Sequence, residues 1–206
     1  PLNNLFTVFK EEKIKKLSLA FFIYFIAFTG LSNILIFFLQ ESLNWTTKAS
    51  SGTLVVVGII AIIVQGGLIG PLVKQFGEMR LTLVGSGFIL VACALLITAP
   101  KENATINIYS AVSFLAVGAG LITPTLRALI SKKLDVDKQG SILSNLQGLQ
   151  SLGGVLGIAM AGRVYDSFGP KSPFIAGSVI LLFMIYLIAE GKNNNSFNNQ
   201  KSKVSS

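Results

Sequence analysis

Histidine is absent from this chain of 206 residues, so imidazole metal sites, Ser-His-Asp catalysis and histidine proton relays cannot be assembled from it. Cysteine occurs once, as Cys93 inside an apolar run, which excludes a disulfide framework and points to core packing. Charge is scarce: Asp, Glu, Lys and Arg make up 13% of the residues, about half the usual quarter, and Asp and Glu together number 9. With a mean hydropathy of +0.68, neither a soluble catalytic domain nor a disordered chain fits. No cofactor or metal is expected, and no Ser or Thr in an apolar run has His, Asp, Glu or Lys beside it to act as a base, so an intramembrane enzyme is disfavoured.

What the sequence has instead is long apolar runs. A helix rising 1.5 Å per residue crosses a hydrocarbon core in about 20 residues. Six stretches meet that length: Leu17 to Leu39, Thr53 to Val73, Leu81 to Ala99, Ile106 to Ile130, Ser141 to Gly162 and Ser172 to Ala189. None contains Asp, Glu or Lys, and Arg127 is expected to snorkel from a span end to the interface. The fold predicted is an all-α membrane protein of six transmembrane helices. Residues 17–190 form that unit, 1–16 a cytoplasmic linker and 191–206, rich in Asn, Ser and Lys, a disordered cytoplasmic tail. Since Pro1 and not Met opens the sequence, the chain is read as the back part of a longer protein.

The net charge of +8 invites a nucleic-acid reading, but its distribution gives another. Alternating the sides of the spans places Lys48, Lys101, Arg163 and Lys171 on one face and the other thirteen of the 17 basic residues on the opposite face. The positive-inside rule makes the richer face cytoplasmic, with both termini there. The basic balance is then a topology signal, and no nucleic-acid partner is expected.

The spans differ in character. The third and sixth are largely Leu, Ile, Val, Phe and Ala and suit lipid contact. The second and fifth carry Gly66 with Gly70, and Gly153 with Gly157, at small-xxx-small spacing. Such ridges serve packing inside the six-helix bundle or an interface with a second bundle, and the spacing leaves both open. The first and fourth carry polar stripes. At about 100° per residue, Phe22, Ile26, Thr29, Asn33 and Phe37 share a face, Tyr24, Phe28 and Ser32 share another, and Tyr109, Ser113, Ala116, Gly120, Thr123 and Arg127 align on the fourth span. These stripes line a solute path or supply interhelical hydrogen bonds. Gln65 and Gln147, mid-span amides that are costly to bury unpaired, are candidates for contact with solute or a facing bundle, or else are paired structurally. Pro124 kinks the fourth helix, statically or as a hinge, with Thr123 expected to satisfy a freed carbonyl; Arg163 and Asp166 have the spacing of a helical ion pair.

The run Gly70-Pro71-Leu72-Val73-Lys74-Gln75-Phe76-Gly77-Glu78-Met79-Arg80 between the second and third spans resembles the G-x-L-x-x-x-x-G-x-[KR] loop of the major facilitator superfamily. It is followed by Gly118-x-Gly120 with Pro124-Thr125-Leu126, then Gln139-Gly140, Ser151-Leu152-Gly153-Gly154 and Gly162-Arg163-Val164-Tyr165-Asp166, in an order similar to the second half of drug:proton antiporters of the tetracycline-efflux type. The resemblance covers roughly residues 15 to 190 and implies helices seven to twelve of a twelve-helix transporter, with an amino-terminal half-bundle as partner. It implies a cavity lined by Tyr24, Phe28, Thr29, Asn33, Gln65, Tyr109, Ser113, Thr123 and Gln147, and loop and gating roles for Gly70, Pro71, Gly77, Arg80, Pro124 and Arg127. Contact between halves would fall on Gly66, Gly153 and Gly157. It further implies efflux of small amphiphilic compounds by alternating access in a bacterial inner membrane, coupled to protons through acids of the other half. A solute importer or symporter of the same superfamily and an independent six-helix carrier or channel are the competing expectations.

Overall fold

The computed structural model describes residues 6–9, 11–100, 104–134 and 136–204, and describes the side chains of 8–9, 11–100, 104–134, 137 and 139–190. The expectation of a disordered tail at 191–206 lies outside the described side chains. Among the described residues all regular structure is helical. A 3-10 turn at Phe6–Phe9 precedes α1 (Lys15–Ser42), α2 (Thr47–Phe76), α3 (Glu78–Thr98), α4 (Thr105–Ser131), α5 (Val136–Phe168) and α6 (Ser172–Val204). α1 to α4 and the Ser172–Glu190 part of α6 are each long and apolar enough to cross a membrane. α5 has the length, at 33 residues, but Ser144, Asn145, Gln147, Gln150 and Ser151 make it the most polar of the set.

The connections are short because local chemistry closes them. Asn44 takes a left-handed conformation (φ 54°), which an amide side chain tolerates better than most, and Thr46 caps α2 by accepting from the Ala49 N–H at 3.3 Å. Gly169 (φ 91°) ends α5, and Ser172 Oγ donates to its carbonyl at 2.6 Å. The junction of α2 and α3 corrects the expected eleven-residue loop, since α2 runs on to Phe76 and Gly77 alone (φ 77°) reverses the chain. Helix continues through Pro71 because a π-helical turn at Val64–Leu68 precedes it, and the wider turn accommodates a ring that would otherwise crowd the Gly67 carbonyl one turn back.

Two glycine contacts set the layout. Gly85 of α3 and Gly118 of α4 face each other so closely that a Cβ on Gly118 would lie 2.6 Å from the Gly85 carbonyl oxygen. Gly30 and Gly157 bring α1 against α5 in the same manner, with 2.7 Å from a Cβ on Gly30 to the Gly157 oxygen. Small residues allow such approach where lipid supplies no hydrophobic drive and van der Waals packing must hold helices together. α1 is the hub, packing on α4, α5 and α6, while α6 also packs on α3. Phe21, Tyr24, Phe38, Ile89, Ile122, Leu146 and Phe174 are fully buried at these contacts, and Phe38 meets Phe174 edge to face at 5.1 Å. α2 leans chiefly on α4, where Val64 fills the space beside Gly120. It leaves Leu54, Val55, Ile59, Ile62 and Ile63 uncovered, as α5 leaves Val155, Ile158 and Met160.

Candidate functional site

Three helices converge where polar residues of α1, α4 and α5 meet. Pro124 interrupts the α4 hydrogen-bond ladder, and Thr125, not the expected Thr123, is the hydroxyl that serves the local backbone. Its Oγ1 donates to the Leu121 carbonyl at 2.7 Å and lies 2.8 Å from Thr82 Oγ1 of α3. Thr123 is left to face α1, where its Oγ1 lies 3.2 Å from the Tyr24 hydroxyl. Tyr24 stacks on Phe28 at a ring separation of 5.6 Å.

One turn further along α4, the Arg127 guanidinium is drawn sideways into the bundle. Nη2 donates to Gln147 Oε1 at 2.8 Å and to Gln150 Oε1, both on α5, and the guanidinium carbon sits 5.9 Å from the centre of the Phe21 ring. Nε is buried and has no hydrogen-bond partner among the described residues. The ion pairs among the described residues are Lys15 with Glu12, Lys16 with Glu190, and Lys132 with Glu78, so no carboxylate of a described residue reaches Arg127. Two neutral amide oxygens and an aromatic face therefore hold a full positive charge, which such partners compensate only in part.

This corrects several expectations. Arg127 does not snorkel to the interface; the two glutamines capture it because their oxygens lie within reach of its fork. Tyr24 is wholly buried, so it braces α4 and does not line an open path. Thr29 is half-buried, and Asn33 is exposed with its Nδ2 donating to the Thr29 carbonyl at 2.9 Å. Gln65 is exposed on the π-helical turn of α2. Tyr109 and Ser113 stand apart from the cluster, roughly 27 and 21 Å from Arg127 along the axis of α4. There Tyr109 lies 6.0 Å from the Trp45 ring and, with Ser113, Phe88 and Val117, edges a groove of about 420 Å³. Arg163 and Asp166 are exposed and form no ion pair among the described residues. Gly153 and Gly157 face α1, where the Phe22 and Ile26 carbonyls occupy the space of a side chain, so those two glycines serve packing within the chain; Gly66 has open space beside it.

Of the loop residues, Gly70 and Pro71 lie exposed inside α2, Gly77 makes the turn, and Arg80 is exposed on the first turn of α3, with Met79 where the sequence pattern calls for a basic residue. Glu78, beside the turn, accepts a hydrogen bond from Lys132 just past the end of α4 and so ties the α2–α3 junction to that helix. Gln150 and Phe21 escaped the sequence reading. Each lies three residues from a residue that was singled out, Gln147 and Tyr24, and helical spacing was the signal that could have found both.

The Major Facilitator Superfamily family profile matches residues 2–158. The tetracycline resistance protein, class C, of Escherichia coli is 26% identical over 130 residues, covering 63% of this chain and 32% of that protein. The class G tetracycline resistance protein of Vibrio anguillarum is 27% identical over 157 residues, covering 72% of this chain and 38% of the relative. Human hippocampus abundant transcript-like protein 1 is 22% identical over 211 residues, covering 92% and 41% respectively. The chain spans about a third to two fifths of the length of these relatives.

Proposed function

The chain belongs to the Major Facilitator Superfamily and is an integral membrane protein, and from that premise we propose that it works as the carboxy-terminal half of a secondary transporter. Its six helices would then correspond to helices seven to twelve. The uncovered apolar faces of α2 and α5 support this reading, because a complementary amino-terminal half-bundle would bury them. Alternating access follows if the two halves rock about a site near the midplane, bordered by α1, α4 and the flanking parts of α2 and α5.

The substrate class proposed is a small amphiphilic organic compound moved outward in exchange for protons. The observation that carries it is the mixed aromatic and amide character of the α1–α4–α5 junction, with Phe21, Gln147 and Gln150 around Arg127 and Phe28 two turns further along α1, together with the similarity to tetracycline resistance proteins. Among the described residues the acids of the six helices sit at or beyond the ends of the apolar stretches, at Glu41, Glu78, Asp137, Asp166 and Glu190, so the proton-binding carboxylate is assigned to the other half. The charge bias supports a cytoplasmic side for both termini and the Lys132 end, and the similarity to bacterial tetracycline resistance proteins supports a bacterial inner membrane. Inverted vesicles containing the full-length transporter test the proposal: an antiporter accumulates drug only under an imposed pH gradient. Accumulation that is indifferent to the gradient overturns proton antiport, and movement in the opposite sense favours an importer of the same superfamily.

A further inference from the structure

We infer that Arg127, held by Gln147 and Gln150, is an anion-binding point, and that the transporter binds amphiphiles bearing a carboxylate or comparable oxyanion beside an aromatic system. The inference rests on the transporter reading and refines its substrate class. The guanidinium is always ionised, yet its partners are two amide oxygens and the Phe21 ring, none of which carries negative charge. Nη2 serves both glutamines, while Nε is buried without an acceptor among the described residues. A buried N–H left in that state favours arrival of an oxygen ligand, and an ionised oxygen gives the stronger bond. Access exists from the α5 side, where Gln147 is exposed and Gln150 and Arg127 are half-buried. The neighbourhood suits the rest of such a molecule, since Phe28, half-buried and stacked on Tyr24, presents an aromatic face two turns along α1 from Phe21, roughly 10 Å along the helix axis and within the span of an amphiphile. The glutamine pair fixes the guanidinium before the ligand arrives, so little ordering cost remains at binding.

The alternative occupant, a carboxylate of the facing half, is separated by experiment. The purified full-length transporter is titrated with carboxyfluorescein and with rhodamine 123, an anionic and a cationic dye on the same ring system, and binding is read by fluorescence anisotropy. The expected result is that Arg127→Gln weakens carboxyfluorescein binding about tenfold or more while leaving rhodamine 123 within about twofold, and that Arg127→Lys recovers part of the loss. Equal losses for both dyes, an unchanged affinity for carboxyfluorescein, or no binding of it by the unaltered protein would each overturn the inference. Arg127-dependent binding without gradient-driven transport would sustain the anion site and refute the exporter reading, so the two failures are distinct.

Discussion

A Cβ placed on Gly157 would lie 2.2 Å from the carbonyl oxygen of Ile26, so α1 and α5 meet backbone to backbone at this point. No L side chain fits without separating the helices that position Phe21 and the two glutamines. Gly157→Ala is expected to lower stability by about 1–3 kcal/mol, as overpacking does. Gly87→Ala, on α3 away from the faces assigned to the other half and with open space beside it, should stabilise by up to about 1 kcal/mol through helix propensity alone. Thermal unfolding of the full-length protein in detergent reads both, and equal melting temperatures for the two variants would refute the close contact.

Tyr24 and Thr123 share one hydrogen bond across α1 and α4, and the ring is wholly buried. Tyr24→Phe should cost about 1 kcal/mol of stability and leave the substrate profile unchanged, since the hydroxyl meets helix and not solute. Resistance profiles with a panel of drugs provide the measurement. A shift in specificity with unaltered stability would return Tyr24 to the cavity wall.

Glu78 and Lys132 connect the α2–α3 turn to the end of α4, with the Lys132 side chain 67% exposed and that of Glu78 13% exposed. An ion pair open on one side contributes about 1 kcal/mol or less, so Glu78→Gln should reduce expression or slow gating without abolishing proton coupling. The exchanged pair Glu78→Lys with Lys132→Glu should restore part of the loss. Replacing Asp137 or Asp166, both exposed near the ends of α5, should likewise spare coupling. Proton flux in proteoliposomes decides; complete uncoupling by any of these changes would place the coupling acid in this chain.

Cys93 is buried, so cysteines introduced elsewhere in a Cys93→Ala background report accessibility cleanly. Asn44 links α1 to α2 and Lys132 follows α4, which puts three crossings between them. Impermeant maleimide should label cysteines at these two sites from opposite sides of the membrane. Labelling of both from the same side would break the six-helix topology.

The architecture was legible because membrane helices announce themselves by length: each apolar run of about 20 residues lies within one helix, with α1, α3 and α4 ending close to the expected limits, while α2 begins earlier at Thr47, α5 extends past both expected ends to Val136 and Phe168, and α6 runs on past Ala189. The site was legible in part. Helical spacing placed Thr123 and Arg127 on one face of α4 and Gln147 on α5, but periodicity ranks residues around a single axis and carries no distance between axes. The turn of Arg127 into the bundle, its capture of Gln150, and the orientation of Gly157 depend on how closely α1, α4 and α5 approach.

Sequence alone settled the solvent, because too few charges and too many consecutive apolar residues leave lipid as the environment in which every backbone hydrogen bond must be made within a helix. The tertiary structure decided which small residues hold this chain together and which remain free, and it decided that a half-buried cation would be met by amides and an aromatic ring. Those outcomes belong to packing: one or two ångströms in the separation of helices determine whether a glycine is a contact or a gap, and whether a guanidinium reaches a glutamine or water.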